Sequence, residues 1–330
     1  MADRYPPRIS LARTPTPLMP LDKLSRETNG VRLWVKRDDL TGSVLSGNKV
    51  RKLEFAVADA LENGADTLIT CGGTQSNHCR ATAIAGAQLG LKVHLVLAGA
   101  SLEEPDGNLL LDRVVGAEIT LVPPEEFDLR LDRLLEDIAA DYRRKGRKPY
   151  VVPLGASNEV GVWGYVSAAQ ELKAECDRLS IKPDVVAFAT GSGGTQGGLV
   201  LGNALFQLGA RIIGYSVSWP AQELAEKIRG DLRAWRSRYR QTLDVESLPI
   251  EVDDRYIGPG YGKAEQPVFD TITRLGRLEG LVLDPVYTGK AFHGLLSELE
   301  RGALEGVRNA VFVHTGGMFG LFPQRQAFGF

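Results

Sequence analysis

The sequence contains few cysteines, and their spacing matches no familiar disulfide or zinc pattern. Only three of the 330 residues are cysteine, an odd number that is too small for a disulfide framework. Cys71 and Cys79, with His78 beside the second, lack the spacing of the usual zinc sites. We therefore expect neither a disulfide-stabilised fold nor a bound metal.

Long apolar runs and a charge imbalance are also missing. No uninterrupted apolar run approaches the ~20 residues of a membrane span, and the first residues lack the apolar core of a signal peptide. The 39 basic and 41 acidic residues give a net charge of -2, which offers no electrostatic footprint for nucleic acid or an anionic membrane. We expect a cytoplasmic protein that binds a small molecule and has no nucleic-acid or membrane partner.

Short apolar runs alternate with amphipathic segments along the chain. This alternation is typical of buried parallel strands joined by crossover helices, and it predicts an α/β fold. In open parallel sheets, ligands bind beyond the carboxyl ends of the strands. The predicted strands are 32–36, 67–71, 93–97, 150–153, 185–189 and 310–313, and two of the predicted helices are 52–62 and 129–145.

The first motif, residues 41–49, nearly matches a phosphate-binding P-loop. Asn48 occupies the position where that motif requires lysine, which argues against a nucleotide triphosphatase. Lys49 lies where a glycine-containing loop enters a helix, and helix dipoles there lower the pKa of an amine and make it a better nucleophile. Lys36, in a charge cluster typical of ion pairing, and Lys52, within the helix, are competitors that spacing alone does not exclude.

The second motif, residues 71–80, consists of a strand end, a polar turn and the start of an alanine-rich helix. Ser76 and Asn77 could present hydroxyl, amide and backbone N–H groups to an anion such as a substrate carboxylate. The same two side chains could simply cap the helix. The pattern is compatible with both interpretations.

The third motif is a glycine-rich turn between an apolar strand and an apolar helix. Such a turn can bind phosphate through backbone N–H groups. A dinucleotide fingerprint would require glycine at Gln196, so a single phosphate fits better, and a turn without a ligand is the alternative. The turn consists of Gly191, Ser192, Gly193, Gly194 and Thr195.

Several segments in a fixed order along nearly the whole chain resemble the family of D-cysteine desulfhydrase and 1-aminocyclopropane-1-carboxylate (ACC) deaminase. This family belongs to the tryptophan-synthase-β-like class of pyridoxal-phosphate (PLP) enzymes. Three residues near the C-terminus would, taken singly, more often be structural than catalytic: Tyr261, Tyr287 and His314. The segments are 36–39, 47–49 with 51–54, 75–78, 284–290 and 314–317.

The resemblance implies PLP as cofactor, with Lys49 forming the Schiff base and the glycine-rich turn holding the phosphate. Asn77 would bind the phenolic oxygen of PLP, and Ser76, Asn77 and His78 would grip the carboxylate of a small amino-acid substrate. The implied catalytic residues are Lys49, Ser76, Tyr261 and Tyr287, the two tyrosines lining the ring and the reacting carbon. The implied cofactor-binding residues are Lys49, Asn48, Asn77, Gly191, Ser192, Gly193, Gly194, Thr195, Thr288 and Thr315.

The same resemblance implies two open, twisted, mostly parallel sheets with flanking helices. Residues 1–51 and 161–330 would form a large PLP-binding domain, and residues 52–160 a small inserted α/β domain. The active site would lie in the cleft between them. A homodimer is the expected assembly.

Two positions predict the reaction within this family. ACC deaminases carry glutamate at the position of Thr288, beside the pyridine nitrogen, and leucine at that of Thr315. A neutral threonine makes the ring a weaker electron sink, which suffices when an α-proton can be removed and a β-substituent expelled. The residues therefore favour α,β-elimination, first of all of D-cysteine to pyruvate, sulfide and ammonia.

Three alternatives remain open. Thr74 and Gln196 resemble the related L-cysteate sulfo-lyases as much as the desulfhydrases. ACC deaminase activity is a second alternative, against which Thr288 and Thr315 argue. A ligand-binding homologue that keeps the fold without the chemistry is the third.

Overall fold

The computed structural model describes residues 5–28 and 30–329, and it contains two separate sheets of almost entirely parallel strands. The strands of the larger sheet are β1 (Leu18–Pro20), β2 (Arg32–Lys36), β7 (Val185–Thr190), β8 (Arg211–Ser216), β9 (Glu251–Asp253) and β10 (Asn309–Val313). Those of the smaller sheet are β3 (Thr67–Gly73), β4 (Lys92–Ala98), β5 (Glu118–Val122) and β6 (Pro149–Val151).

The larger sheet has the strand order β1-β2-β10-β7-β8-β9, and only β1 runs antiparallel to its neighbour. The smaller sheet has the order β5-β4-β3-β6 and is parallel throughout. Parallel neighbours require long crossover connections, which the helices supply. The prediction of an α/β fold with two mostly parallel sheets is confirmed.

The crossover helices cover both faces of each sheet. The helices are α1 (Asp22–Ser25), α2 (Asn48–Glu62), α3 (Asn77–Leu89), α4 (Gly107–Val114), α5 (Pro124–Arg144), α6 (Trp163–Leu179), α7 (Gly194–Phe206), α8 (Ala221–Arg238), α9 (Gln266–Glu279) and α10 (Thr288–Glu300). In the described ranges, no helix is both long and apolar enough to cross a membrane.

Strand β7 shows how the core of the larger sheet is built. Val186 and Phe188 pack on one face with residues of α6 and α8, whereas Val185 and Ala187 pack on the other with residues of α9 and α10. All four side chains are fully buried, as expected for a central parallel strand covered by helices on both faces. The smaller sheet is likewise covered by α2 and α3 on one face and by α5 on the other.

The four strands of the smaller sheet all fall within the inserted segment predicted at 52–160. The predicted boundary between residues 51 and 52, however, falls inside the continuous helix α2. On α2, Phe55 belongs to the core of the larger sheet and Leu53 to that of the smaller one. Because α2 packs against both cores, the exact domain boundaries stay a prediction.

Candidate active site

The turn before α2 is held by threonines from two parts of the chain. The N–H of Gly47 donates to Thr41 Oγ1 (2.8 Å), and the N–H of Asn48 donates to the carbonyl of Thr315, just beyond β10 (3.0 Å). Gly47 has a φ of 91°, and a Cβ there would lie 2.7 Å from the Thr315 carbonyl oxygen, so the turn requires glycine. This turn makes Lys49 the second residue of α2.

Lys49 reaches into a cleft bordered by the loops that follow β6 and β7. A Cβ added to Gly155 would lie 2.9 Å from Lys49 Nζ and still closer to Ser192 Oγ, so these groups are near neighbours. Desolvation lowers the pKa of Lys49 from 10.5 to about 8. The neutral, nucleophilic form of this amine is therefore populated far more than that of an ordinary lysine near neutral pH.

The glycine-rich turn connects β7 to the start of α7. Gly193 has a φ of 86°, and a Cβ there would lie 2.6 Å from Ile228 Cγ1, so glycine is required at this point as well. Thr195 Oγ1, in the first turn of α7, accepts a hydrogen bond from Asn48 Nδ2 (3.0 Å). The turn that carries Lys49 and the glycine-rich turn are thus directly connected.

Ser157, in the loop after β6, links the same two turns. Its hydroxyl is hydrogen-bonded to Ser192 Oγ (2.7 Å) and accepts from the N–H of Gly194 (3.1 Å) and from Lys52 Nζ (3.1 Å). Gly194 is the first residue of α7, and the first N–H groups of a helix have no partner within it. The start of α7 therefore offers donors to an anion.

Basic side chains cluster around this point. Lys52 is 1% exposed, and within the described part of the chain it has no carboxylate partner; burial and the amines of Lys49 and Lys227 lower its pKa well below the ordinary value. Lys227 donates to the Ser157 carbonyl (2.8 Å) and pairs with Asp231 (2.6 Å). Three amines beside one carboxylate make a site where a bound anion such as phosphate would favour the protonated form of Lys52.

The turn between β3 and α3 supports both earlier interpretations of its polar residues. Ser76 is the N-cap of α3, and its hydroxyl accepts from the N–H of Cys79 (3.2 Å). Asn77 and His78 are the first two residues of α3, so their N–H groups have no partner within the helix. The cap and a candidate anion site therefore coexist at this helix start.

The imidazole of His78 is fixed in one tautomer. Thr70 uses its only hydroxyl proton to bond the Val152 carbonyl (2.8 Å), so His78 Nε2 must donate to Thr70 Oγ1 (2.7 Å). Nδ1 is then an acceptor, buried and without a partner within the described ranges. Burial and the nearby amines of Lys49 and Lys52 lower the pKa of His78 well below 6.5. Only the backbone N–H of His78 can therefore donate to a carboxylate.

Tyr261 and Tyr287 form a pair across the cleft. Their hydroxyl oxygens are 2.5 Å apart. Cβ atoms added to Gly73 and Gly191 would lie 3.4 Å from Tyr261 Cε1 and 3.7 Å from Tyr287 Cε1, so the pair reaches from the β3–α3 turn to the glycine-rich turn. Desolvation raises the pKa of Tyr261 to about 12 and that of Tyr287 well above 10. Both are therefore proton donors near neutral pH.

Thr288 and Thr315 have different surroundings. Thr288 is fully buried, and its hydroxyl donates to Asp284 Oδ1 (2.6 Å) and accepts from the Asp284 N–H (2.9 Å). Thr315 is 7% exposed, and its hydroxyl has no hydrogen-bond partner among the residues that the structure describes. The structure therefore brings Thr315, but not the Thr288 hydroxyl, next to the Lys49 turn.

Lys36 is held in ion pairs away from this arrangement. Its amine contacts Glu171 (2.5 Å) and Glu175, two residues of α6, and it is 2% exposed. The prediction that the charge cluster of residues 36–39 serves ion pairing is confirmed.

These groups together fit an anionic aldehyde cofactor. A desolvated lysine is suited to the aldehyde, and a helix start with surplus positive charge is suited to the phosphate. A cleft of this kind between two parallel α/β units defines an enzyme of the pyridoxal-phosphate type.

Comparison with known proteins identifies the family. Residues 9–316 match the sequence model of the family described as "Pyridoxal-phosphate dependent enzyme". The chain belongs to these PLP-dependent enzymes and, among them, to the D-cysteine desulfhydrase and ACC deaminase family. The predicted family and the predicted cofactor are confirmed.

Individual relatives match over nearly the full chain. The mitochondrial "Bifunctional D-cysteine desulfhydrase/1-aminocyclopropane-1-carboxylate deaminase" of Arabidopsis thaliana is 40% identical over 96% of this chain and 79% of its own. A Pyrococcus abyssi protein named "Putative 1-aminocyclopropane-1-carboxylate deaminase" is 39% identical over 96% of this chain and 93% of its own. The crystal structure of an "ACC deaminase homologue" is 37% identical, with a TM-score of 0.89 over 98% of this chain and 96% of that one.

Sequence reasoning missed part of the site. Ser157 and Gly155, after β6, and Lys227, in α8, approach the predicted residues but were not among the candidates. Strand 150–153 was predicted, and the expectation that ligands lie beyond strand ends would have indicated the small residues that follow it. No sequence signal singles out Lys227, because α8 meets the site only through tertiary packing.

Proposed function

We propose that this protein catalyses PLP-dependent α,β-elimination from a small amino acid, with D-cysteine as the first substrate to test. D-cysteine and water would give pyruvate, sulfide and ammonia. The carrying observation is that Lys49 Nζ, with a pKa of about 8, lies beside the glycine-rich turn and Gly155. One amine in this position is suited both to hold the cofactor and to act as a base.

The residues around Lys49 would divide the remaining work. When bound, PLP supplies an electron sink for charge that develops at the substrate Cα. The neutral amine of Lys49 removes the Cα proton. The backbone N–H groups of Asn77 and His78, with the Ser76 hydroxyl, hold the substrate carboxylate.

Cofactor binding would rely on residues at the starts of α7, α2 and α3. The turn from Gly191 to Thr195 would hold the phosphate, and buried Lys52, which lacks a carboxylate partner, would supply its counter-charge. Asn48 would keep the Lys49 turn against that site through its bond to Thr195 (3.0 Å). Asn77 would donate to the phenolic oxygen, with Thr288 and Thr315 on the side of the pyridine nitrogen.

The tyrosine pair would protonate the leaving group. Tyr261, which is 44% exposed, would give its proton to the leaving group and regain one from solvent, while the 2.5 Å hydrogen bond to Tyr287 holds its hydroxyl in place. Both hydroxyls carry their protons at neutral pH, as tyrosines ordinarily do, and can therefore donate to a departing thiolate.

Substrate choice is the finer question. The neutral Thr288 and Thr315 favour elimination, whereas the names of the relatives make ACC the second candidate substrate. L-cysteate has less support, because Gln196, one of the two residues that suggested it, is fully buried and donates to the carbonyl of Glu251 (2.6 Å). Its amide oxygen lies beside Gly214 of β8, where an added Cβ would be 2.2 Å away.

The deciding experiment measures pyruvate release from D-cysteine, L-cysteate and D-serine, and 2-oxobutyrate release from ACC, with sulfide and sulfite followed alongside. We expect pyruvate and sulfide in equal amounts from D-cysteine. Turnover of ACC alone would overturn the proposal of elimination. A purified protein that binds PLP but turns over none of the four would support a ligand-binding homologue.

Replacement of Lys49 tests its role directly. We expect Lys49→Ala to abolish turnover and the borohydride-sensitive absorbance of bound PLP, because the amine proposed to hold the cofactor is lost. Lys173→Ala is the matched control, since Lys173 forms an exposed pair with Asp177 on α6. A Lys49→Ala protein that kept both signals would refute the assignment.

We also propose a homodimer, on the resemblance to the family. Sedimentation equilibrium of the holoenzyme should give twice the chain mass of 35.9 kDa. A monomeric mass across the micromolar range would contradict it.

A further inference from the structure

Behind Asn77 lies a buried chain of hydrogen bonds that ends in a cation. Asn108, the second residue of α4, is fully buried. Its amide nitrogen donates to Asn77 Oδ1 (3.1 Å) and to the carbonyl of Gln75 (3.0 Å), and its amide oxygen accepts from Arg80 Nε (2.7 Å). Helices α3 and α4 are therefore joined by polar groups directly beneath the β3–α3 turn.

The donor and acceptor order of these hydrogen bonds is fixed, because one end is a guanidinium group. A guanidinium group can only donate, so the Asn108 oxygen must face Arg80 and the Asn108 nitrogen must face Asn77. Asn77 then accepts with its oxygen, which leaves its amide nitrogen free. Within the described ranges, no acceptor bonds that nitrogen. Asn77 thus offers an N–H donor, rather than an acceptor, to whatever binds beside it.

Arg80 is itself firmly placed. It is 1% exposed and donates to the carbonyls of Val44 and Ser46 (3.2 Å to the latter), in the loop that precedes Lys49. Its guanidinium carbon lies 5.0 Å from the centroid of the Phe319 ring. In the part of the chain that the structure describes, no carboxylate forms an ion pair with it. The buried carboxyl of Asp112 on α4 acts on it electrostatically, whereas its hydrogen bonds all go to neutral oxygen atoms.

We propose that Arg80 and Asn108 are positioning residues that set the amide orientation of Asn77, so that Asn77 donates to the phenolic oxygen of PLP. Arg80 acts through Asn108, and Asn108 acts through Asn77. Through its bonds to the 44–46 loop, Arg80 also fixes the distance between α3 and the turn that carries Lys49. This inference rests on the proposed role of Asn77 in the proposed function.

Asn108→Asp is the sharpest test. The carboxylate keeps an acceptor for Arg80 but has no N–H for Asn77, whose amide would turn and direct its oxygen at the cofactor. An acceptor facing the phenolic oxygen disfavours the ionised form of that oxygen. We expect PLP affinity to fall by about tenfold or more, and the absorbance of bound PLP to move from the longer-wavelength form to the shorter-wavelength, protonated form.

Two further variants make the result specific. Asn203→Asp is the matched control, because Asn203, near the end of α7, also uses both ends of its amide. Its nitrogen donates to the Ala210 carbonyl (3.1 Å), and its oxygen accepts from the Ala210 N–H (3.2 Å). It should leave the spectrum unchanged. In a double-mutant cycle, Asn77→Asp should give the same spectral change as Asn108→Asp, and the two effects should not add.

Each outcome decides the inference. If Asn108→Asp folds, by its far-ultraviolet circular dichroism, and shows wild-type PLP affinity and spectrum, the inference is wrong. If it does not fold, Asn108→Leu takes its place, since leucine keeps the shape of the side chain but neither accepts from Arg80 nor donates to Asn77, and a wild-type spectrum there is equally contradictory. A wild-type protein without borohydride-sensitive PLP absorbance would instead refute the proposed function itself.

Discussion

Lys36, Lys49 and Lys52 lie close together in the sequence and meet three different electrostatic environments. Lys36 is paired with two carboxylates, so its charge is compensated. Lys52 is fully buried among other amines, which favours its neutral form until an anion binds. Lys49 is desolvated but borders the cleft. Its surroundings, rather than its residue type, make it the candidate nucleophile.

The lowered pKa of Lys49 predicts how the apoprotein captures PLP as pH changes. Covalent capture needs the neutral amine, so its rate should rise with pH and level off above about 8. Stopped-flow absorbance of apoprotein mixed with PLP would measure this profile. A rate that continued to rise toward pH 10.5 would show that the amine is an ordinary lysine.

The same lowered pKa implies that apoprotein stability increases between about pH 8 and 10.5, where only the unfolded chain keeps the proton.

Thr288 and Thr315, which we propose lie on the side of the pyridine nitrogen, should differ in what their hydroxyls contribute to stability. Thr288→Val removes a donor from buried Asp284 and leaves the Asp284 N–H without its acceptor, so we expect a loss of about 1–3 kcal/mol. Thr315→Val removes a hydroxyl without an internal bond and should change the free energy of unfolding by less than about 0.5 kcal/mol. Urea denaturation of both apoproteins measures the difference. Equal losses would contradict it.

At the scale of elements, a buried ion cluster connects α2 and α6 to the loop after β2. Arg51 on α2 contacts Asp38 through Nε and Nη2 (2.9 and 2.8 Å) and Glu171 on α6 (3.0 Å). Tyr165 on α6 donates to the same Asp38 (2.6 Å). Although burial alone would raise it, Arg51 lowers the pKa of Asp38. The cluster fixes α2, and therefore Lys49, against the larger sheet.

Removal of Arg51 should be costly. Arg51→Met leaves buried Asp38 without its ion-pair partner and Glu171 with Lys36 alone, so we expect a loss of about 3–5 kcal/mol in the free energy of unfolding. Arg133→Ala is the control, since Arg133 forms an exposed i,i+4 pair with Asp137 on α5 and should cost less than about 1 kcal/mol. Chemical denaturation at neutral pH measures both. Similar losses for the two variants would contradict a stabilising cluster.

The elements that the sequence did not reveal have identifiable physical causes. Strands β1 and β9 are three-residue edge strands, whose pairing depends on neighbours distant in sequence. Strand β8 contains Gly214, which weakens a strand pattern, yet a larger residue there would collide with the buried Gln196 side chain. Helix α2 begins at Asn48, four residues before the predicted start, because the Thr315 carbonyl closes the preceding turn.

The parts of the candidate site that belong to short sequence motifs could be predicted. Lys49, the β3–α3 turn and the glycine-rich turn follow strand ends or open helices, and the structure brings them into one cleft. The part that could not be predicted comes from packing between elements. Ser157 connects two turns, and Asn108 donates to Asn77, only because segments that are not neighbours in the sequence lie side by side.

At the scale of the whole molecule, the cleft draws its groups from both sheets. Lys49 and the glycine-rich turn border the larger sheet, while Asn77 and the β3–α3 turn follow a strand of the smaller one. Arg325, in the C-terminal segment, pairs with Asp106, the N-cap of α4 (2.6 Å). This pair adds a contact between the C-terminal segment and a helix of the smaller sheet. A cofactor held by all three turns would connect the two halves.

Cofactor binding should therefore stabilise the protein as one cooperative unit. At a PLP concentration about 100 times the Kd, binding contributes about 2.7 kcal/mol, which should raise the Tm by about 4 °C for a chain of this size. Differential scanning calorimetry should show one transition for the holoenzyme, shifted upward from that of the apoprotein. Lys49→Ala should show a smaller shift, since the covalent connection is lost while the phosphate site remains. Two holoenzyme transitions, of which only one responds to PLP, would mean that the cofactor contacts one half alone and that the cleft does not close around it.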